Sequence, residues 1–227
     1  MSIPTRIGAP TRFGTGKVLS YEANNLPDES TPPWELTEAD PDTLVEINDG
    51  ILHLYNNGNP GSRKYLLINS KACDDKYIAY EMKVKLEGFN NTNPTGIFRI
   101  WVNPKNSPSP RGYFAIYKTK MRVYMPTSDA IWVDIPDTTT QYRIYRWVFD
   151  IENHTYDFFV DGTKYIDARD YGADTYSSTF QFEILGYAWD TYPFTHPVWH
   201  IYIDYLRIYK MGAKQVAVPT HIATPTR

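Results

Sequence analysis

Apolar and polar positions alternate along most of this chain with a period of two, in short runs rich in Val, Ile, Tyr, Phe and Trp that Asn, Asp, Gly and Pro interrupt. Alternation of this kind puts apolar groups on one face of a strand and polar groups on the other, so it predicts an all-β protein. Strands are expected at 17–22, 44–47, 51–55, 65–69, 77–87, 96–102, 112–118, 121–125, 131–134, 141–150, 155–160, 164–166, 179–187 and 198–209. Asn48-Asp49-Gly50 and Asp161-Gly162 read as hairpin turns, where a positive φ is cheap. Pro-, Asn- and Ser-rich stretches at 56–63, 90–94 and 103–110 read as rim loops.

The clearest stretch is 141–167, QYRIYRWVFDIENHTYDFFVDGTKYID, which folds back at Glu152-Asn153-His154. Arg143, Tyr145, Trp147 and Phe149 point one way and Tyr142, Ile144 and Arg146 the other. The return strand alternates through Tyr156, Phe158 and Val160. The segment 198–209, VWHIYIDYLRIY, supplies a partner strand. A hairpin closing on Val160-Asp161-Gly162, followed by the terminal run IDYLRIY, resembles the laminin G-like and other concanavalin A-like lectin/glucanase domains. The resemblance implies a two-sheet β-sandwich (jelly roll) over residues 15–210, flanked by extended arms at 1–14 and 211–227.

The chain has 227 residues, 42% of them apolar, with 19 Tyr, 6 Trp and 10 Phe, enough to fill one core and leave aromatic rings for the surface. A net charge of −3 without like-charge runs gives no electrostatic footprint for nucleic acid or an anionic membrane. The apolar runs are strand-sized, too short for a membrane-spanning helix. Cys73 is the single cysteine, so burial and sheet hydrogen bonds must hold the fold, and a reducing compartment is compatible. The leader MSIPTRIGAPTRFG lacks the apolar region of a secretory signal. The sequons at Asn90 and Asn153 are of the kind that an Asn- and Thr-rich composition produces by chance.

Glucanases of the resembled superfamily place catalytic carboxylates on one strand in an E-x-D-x-x-E pattern, which the two-residue repeat aligns on one face. This chain lacks it. Asp150-Ile151-Glu152 falls at a turn, Asp134 and Asp137 bracket Pro136, and Glu183 has no acid two or four residues away. No enzymatic activity is therefore expected. His53, His154, His196, His200 and His221 read as scattered strand or surface residues rather than metal ligands. Asp74 and Asp75 oppose thiolate formation at Cys73, and no phosphate loop or nucleophile elbow is present. No cofactor is expected. The resemblance leaves calcium as the one conceivable ion, with Asp161, Asp167, Asp170 and Asp174 as a loose donor set that solvated turn acids explain equally well.

Sugar recognition stacks aromatic faces on pyranose rings and orients them with a few polar groups. If Phe98, Ile100 and Val102 face the core, Arg99 and Trp101 face outward. Likewise Tyr113 and Tyr117 lie opposite the core pair Phe114 and Ile116. With Tyr187, Trp189, Asp190 and Tyr192 of the aromatic loop 186–199, these residues form the candidate glycan surface. Any one of them is more often sheet packing than a ligand platform, and the joint placement carries the reading. Such a run of aromatics equally suits a protein interface.

Pro-Thr-Arg recurs in both arms, ending in Arg6, Arg12 and Arg227. Proline favours extended chain that can lie along a neighbour while arginine pairs with its carboxylates, although tails of this kind are commonly disordered. The arms, the missing leader and disulfide, and the style of SIPTRIGAPTR together suggest a non-catalytic structural or attachment protein of a virus particle, such as a tailed-phage capsid decoration or tail protein. It would be assembled in host cytoplasm, with virion subunits and a surface glycan as partners. The alternative is a free, extracellular carbohydrate-binding module.

Overall fold

The computed structural model describes residues 17–30, 35–39, 43–56, 62–69, 77–88, 95–104, 113–125, 128–150, 152–170, 176–188 and 199–211. Its strands are β1 (Lys17–Tyr21), β2 (Glu35–Ala39), β3 (Thr43–Asn48), β4 (Ile51–Asn56), β5 (Ser62–Asn69), β6 (Tyr77–Glu87), β7 (Thr95–Pro104), β8 (Tyr113–Ile116), β9 (Lys120–Met125), β10 (Ser128–Asp134), β11 (Arg143–Asp150), β12 (Thr155–Val160), β13 (Thr163–Asp170), β14 (Tyr176–Ala188) and β15 (His200–Met211). Among the described residues the only helix is the single 3-10 turn Pro27–Glu29. The all-β expectation holds.

One layer is an eight-stranded sheet in the order β13-β12-β11-β6-β15-β4-β3, with β1 added along the C-terminal half of β15. The other layer is made of β2-β5-β14-β7 and β8-β9-β10, which abut where β7 runs beside β8. All the pairings are antiparallel. This is the sandwich that the terminal motifs implied.

Its core follows from side-chain parity. Ile78, Tyr80, Met82, Val84 and Leu86 of β6, Tyr145, Trp147 and Phe149 of β11, and Tyr156, Phe158 and Val160 of β12 are all buried on the inner face. Phe114 and Ile116 of β8 and Met121 and Val123 of β9 meet them from the opposite layer. Trp147 marks the join, its ring centroid 5.1 Å from Phe114 and 4.9 Å from Phe158. Burying side chains of this size contributes roughly 1.5–3 kcal/mol each.

The hairpin turns form where positive φ was expected. Asp49 and Gly50 have φ of 50° and 74°, and Asp161 and Gly162 have 47° and 88°. Asp161 does more than turn the chain, because its carboxylate accepts from the Ile144 amide at 2.9 Å and from Arg143 Nη1 at 2.7 Å. The turn is thereby tied back to β11.

One strand was missed. Glu35–Ala39, ELTEA, has no run of alternating apolar residues, yet it pairs with β5 as the edge of its sheet. An edge strand needs pairing on one side only, and this pairing depends on residues far along the chain.

Candidate functional site

The short sheet β8-β9-β10 has Phe114, Ile116, Met121 and Val123 buried inward, so the alternate positions face out. In register these are Ala115 on β8, Arg122 on β9 and Trp132 on β10, of which Ala115 is covered and only 2% exposed. Trp132 is 53% exposed, and the other large exposed hydrophobic among the described residues is Leu44, on a different sheet. The Arg122 guanidinium carbon lies 5.8 Å from the Trp132 ring centroid, within cation–π reach. Lys120 and Asp134, the next outward pair, oppose each other in register.

Tyr117 corrects the sequence reading. It was expected to face outward as a ligand platform, but it is only 3% exposed. Its amide donates to the Lys120 carbonyl at 2.7 Å to close the β8–β9 turn, and its ring lies 5.0 Å from Trp132 at 55°. Trp132 packs against Tyr117 and offers the open face instead. The signal was present in IWVD, where an aromatic occupies the outward parity between core-directed Ile131 and Val133.

Arg122, like Arg169, differs from the arginines that are held in ion pairs. Arg143 pairs with Asp161, Arg146 with Glu81 and Arg207 with Glu22. Arg122 has no carboxylate partner among the described residues, and its Nε is buried there without a hydrogen-bond acceptor.

The remaining candidates fall as follows. Arg99 and Trp101 are on β7, opposite Glu183 and Gln181 of β14, in the same layer as Trp132. Tyr113 opens β8 opposite Tyr124, and Tyr187 on β14 is opposite Ser62. Trp189, Asp190, Tyr192 and the arm residues Arg6, Arg12 and Arg227 lie outside the described residues. Glu183 has Arg99 and Leu66 as its cross-strand neighbours, neither of them an acid. Of the calcium donor set, Asp161 is engaged as above, Asp167 binds Lys164 at 2.7 Å, and Asp174 is outside the described residues. Among the described residues no group of three or more His, Cys, Asp or Glu is placed to hold a metal.

A second polar cluster, which sequence reasoning missed, lies on the outer face of the eight-stranded sheet. Register aligns Lys85, Tyr202, His53 and Glu46 in one row across β6, β15, β4 and β3, and Glu87, His200, Tyr55 and Leu44 in the next. His53 is sandwiched between Tyr55 and Tyr202, each 4.4 Å away centroid to centroid. Its Nδ1 meets Glu46 at 2.9 Å and its Nε2 meets His200 Nδ1 at 2.9 Å. Lys85 and the Tyr202 hydroxyl both donate to Glu87. Burial, and then the neighbouring His53, lower the pKa of His200, while Glu87 works in the opposite direction. These groups satisfy one another, which marks a structural network.

No family model matches the sequence. No curated protein matches it significantly. Solved structures do resemble it. The binding domain of botulinum neurotoxin DC in complex with rat synaptotagmin II superposes with a TM-score of 0.57 at 12% identity, over 87% of this chain and 49% of that one. Botulinum neurotoxin type C, whose cell entry depends on two ganglioside molecules, gives 0.56 at 14%, over 87% and 48%. A Clostridium perfringens endo-β-galactosidase that releases GlcNAcα1-4Gal gives 0.56 at 16%, over 89% and 64%. The chain spans about half the length of the neurotoxin domains. What it shares with all three is the fold, a two-layered β-sandwich.

Proposed function

We propose that this chain is a non-catalytic carbohydrate-binding domain whose ligand rests on the outer face of β8-β9-β10. One observation carries the reading. Trp132 is held open on a strand, backed by Tyr117 and flanked by Arg122. A tryptophan exposed in this way costs hydration without adding to the core, whereas its flat face suits the apolar side of a pyranose ring. Arg122 and the exposed Asp134 supply the polar groups that would orient hydroxyls. Arg99 and Trp101 on the adjoining β7 would extend the surface. The sugar-related activities named for two of the similar folds support a glycan ligand by analogy only.

The test is a saccharide panel titrated into the full chain and followed by tryptophan fluorescence. Trp132→Ala should weaken binding by about tenfold or more, the order of one lost stacking contact, with the unfolding midpoint unchanged. Wild-type affinity in that variant would remove this face from consideration.

The setting is a separate question. Attachment to a virus particle through the arms, with virion localisation, rests on features of the sequence, chiefly the Pro-Thr-Arg tripeptides. Deleting residues 1–14 and 211–227 should then abolish incorporation into a particle and spare sugar affinity. Unimpaired incorporation leaves the free binding module.

A further inference from the structure

Arg122 and Trp132 are direct cross-strand partners, and the contrast with their neighbours is informative. One step along the same face, Lys120 stands opposite Asp134 in register. At Arg122 the cation meets an indole, and among the described residues no carboxylate pairs with it. In the eight-stranded sheet Arg143, Arg146 and Arg207 each have one, while Arg169 shares with Arg122 a buried Nε that has no acceptor. The Nε is sealed without an acceptor, and the terminal nitrogens are not among the buried unpaired atoms. The open end of the guanidinium therefore stands beside an exposed ring, with no carboxylate paired to it among the described residues.

From this, and resting on the carbohydrate-binding reading, we infer that the ligand is an acidic saccharide. A ring stacked on Trp132 presents its carboxylate to Arg122. The guanidinium is a planar fork whose geometry matches the two oxygens of a carboxylate, and a charge-assisted bond of that kind is stronger than one to a hydroxyl. Trp132 supplies affinity for any suitable pyranose face, and Arg122 supplies the discrimination. The two contributions are separable because one is a surface contact and the other a charge.

The experiment titrates the full chain, by calorimetry, with oligogalacturonate, its methyl ester, the neutral galacto-oligosaccharide and a sulfated galactan oligosaccharide. Oligogalacturonate should bind roughly ten- to a hundredfold more tightly than its ester, the range of one charge-assisted hydrogen bond. Arg122→Gln should erase that preference while keeping the affinity for the ester, and Arg122→Lys should restore only part of it. Trp132→Ala should weaken both ligands alike. Equal affinity for acid and ester, or a preference that survives Arg122→Gln, overturns the inference and leaves neutral glycan binding standing. Sulfated sugar bound as tightly as the uronate also overturns it, since charge alone would then be read. Binding of no saccharide overturns this inference and the reading beneath it.

Discussion

His53 Nε2 and His200 Nδ1 face each other at 2.9 Å across β4 and β15, although 147 positions separate them in the chain. One proton fits between two nitrogens at that distance, and a second forces them apart. Glu46 holds the far side of His53, the tyrosine rings of residues 55 and 202 flank it, and Lys85 and Glu87 complete the surroundings.

A pH dependence follows. The folded-state pKa of His200 lies below its ordinary value of 6.5, through burial first and His53 second. Between those two values the unfolded chain binds a proton that the folded chain does not, so stability falls as pH falls. Above about pH 6.5 the contribution is flat. Urea unfolding at about pH 7.5 and about pH 5 should show a lower midpoint in acid, and His200→Gln should reduce that difference. An undiminished difference in the variant would place the acid sensitivity elsewhere.

Trp147 should be the costliest single truncation in the core. It is buried between the two layers against Phe114 and Phe158, so Trp147→Ala leaves a cavity bridging both, at a cost of about 3–5 kcal/mol. Its indole Nε1 has no hydrogen-bond partner among the described residues. Trp147→Phe removes that donor and should cost less than the alanine change in equilibrium denaturation.

Arg146 and Glu81 form an almost sealed ion pair at 3.7 Å on the outer face, where the Tyr205 hydroxyl also donates to Glu81. Removing one partner strands the other charge, so Arg146→Met should cost about 3–5 kcal/mol. The double variant Arg146→Met, Glu81→Leu should recover most of it. Additive losses in that double-mutant cycle would show that the pair is not coupled.

Ala168 sits at φ 43°, in a bulge of β13 that lets its amide reach the buried carboxylate of Asp157 at 2.7 Å. A left-handed conformation costs a residue with a Cβ about 1–2 kcal/mol, partly offset by the entropy that glycine loses on folding. Ala168→Gly should therefore stabilise by about 0.5–1 kcal/mol in thermal or urea unfolding. A clear loss would mean that the bulge does not hold that geometry in solution.

The sequence by itself determined what depends on neighbours in the chain. The inward residues of β6, β11 and β12 follow from alternation, because side chains on a strand take opposite faces by covalent geometry. The Asp-Gly turns follow from a local φ requirement. Tertiary structure decided what depends on neighbours across strands. It made an edge strand of polar ELTEA through pairing with β5, and it joined two histidines from opposite ends of the chain. It also sorted Tyr117 from Trp132. Both occupy outward positions beside the core, but which ring is covered depends on how β8 and β10 lie against each other through β9. Periodicity tells which way a side chain points, and packing alone determines what lies over it.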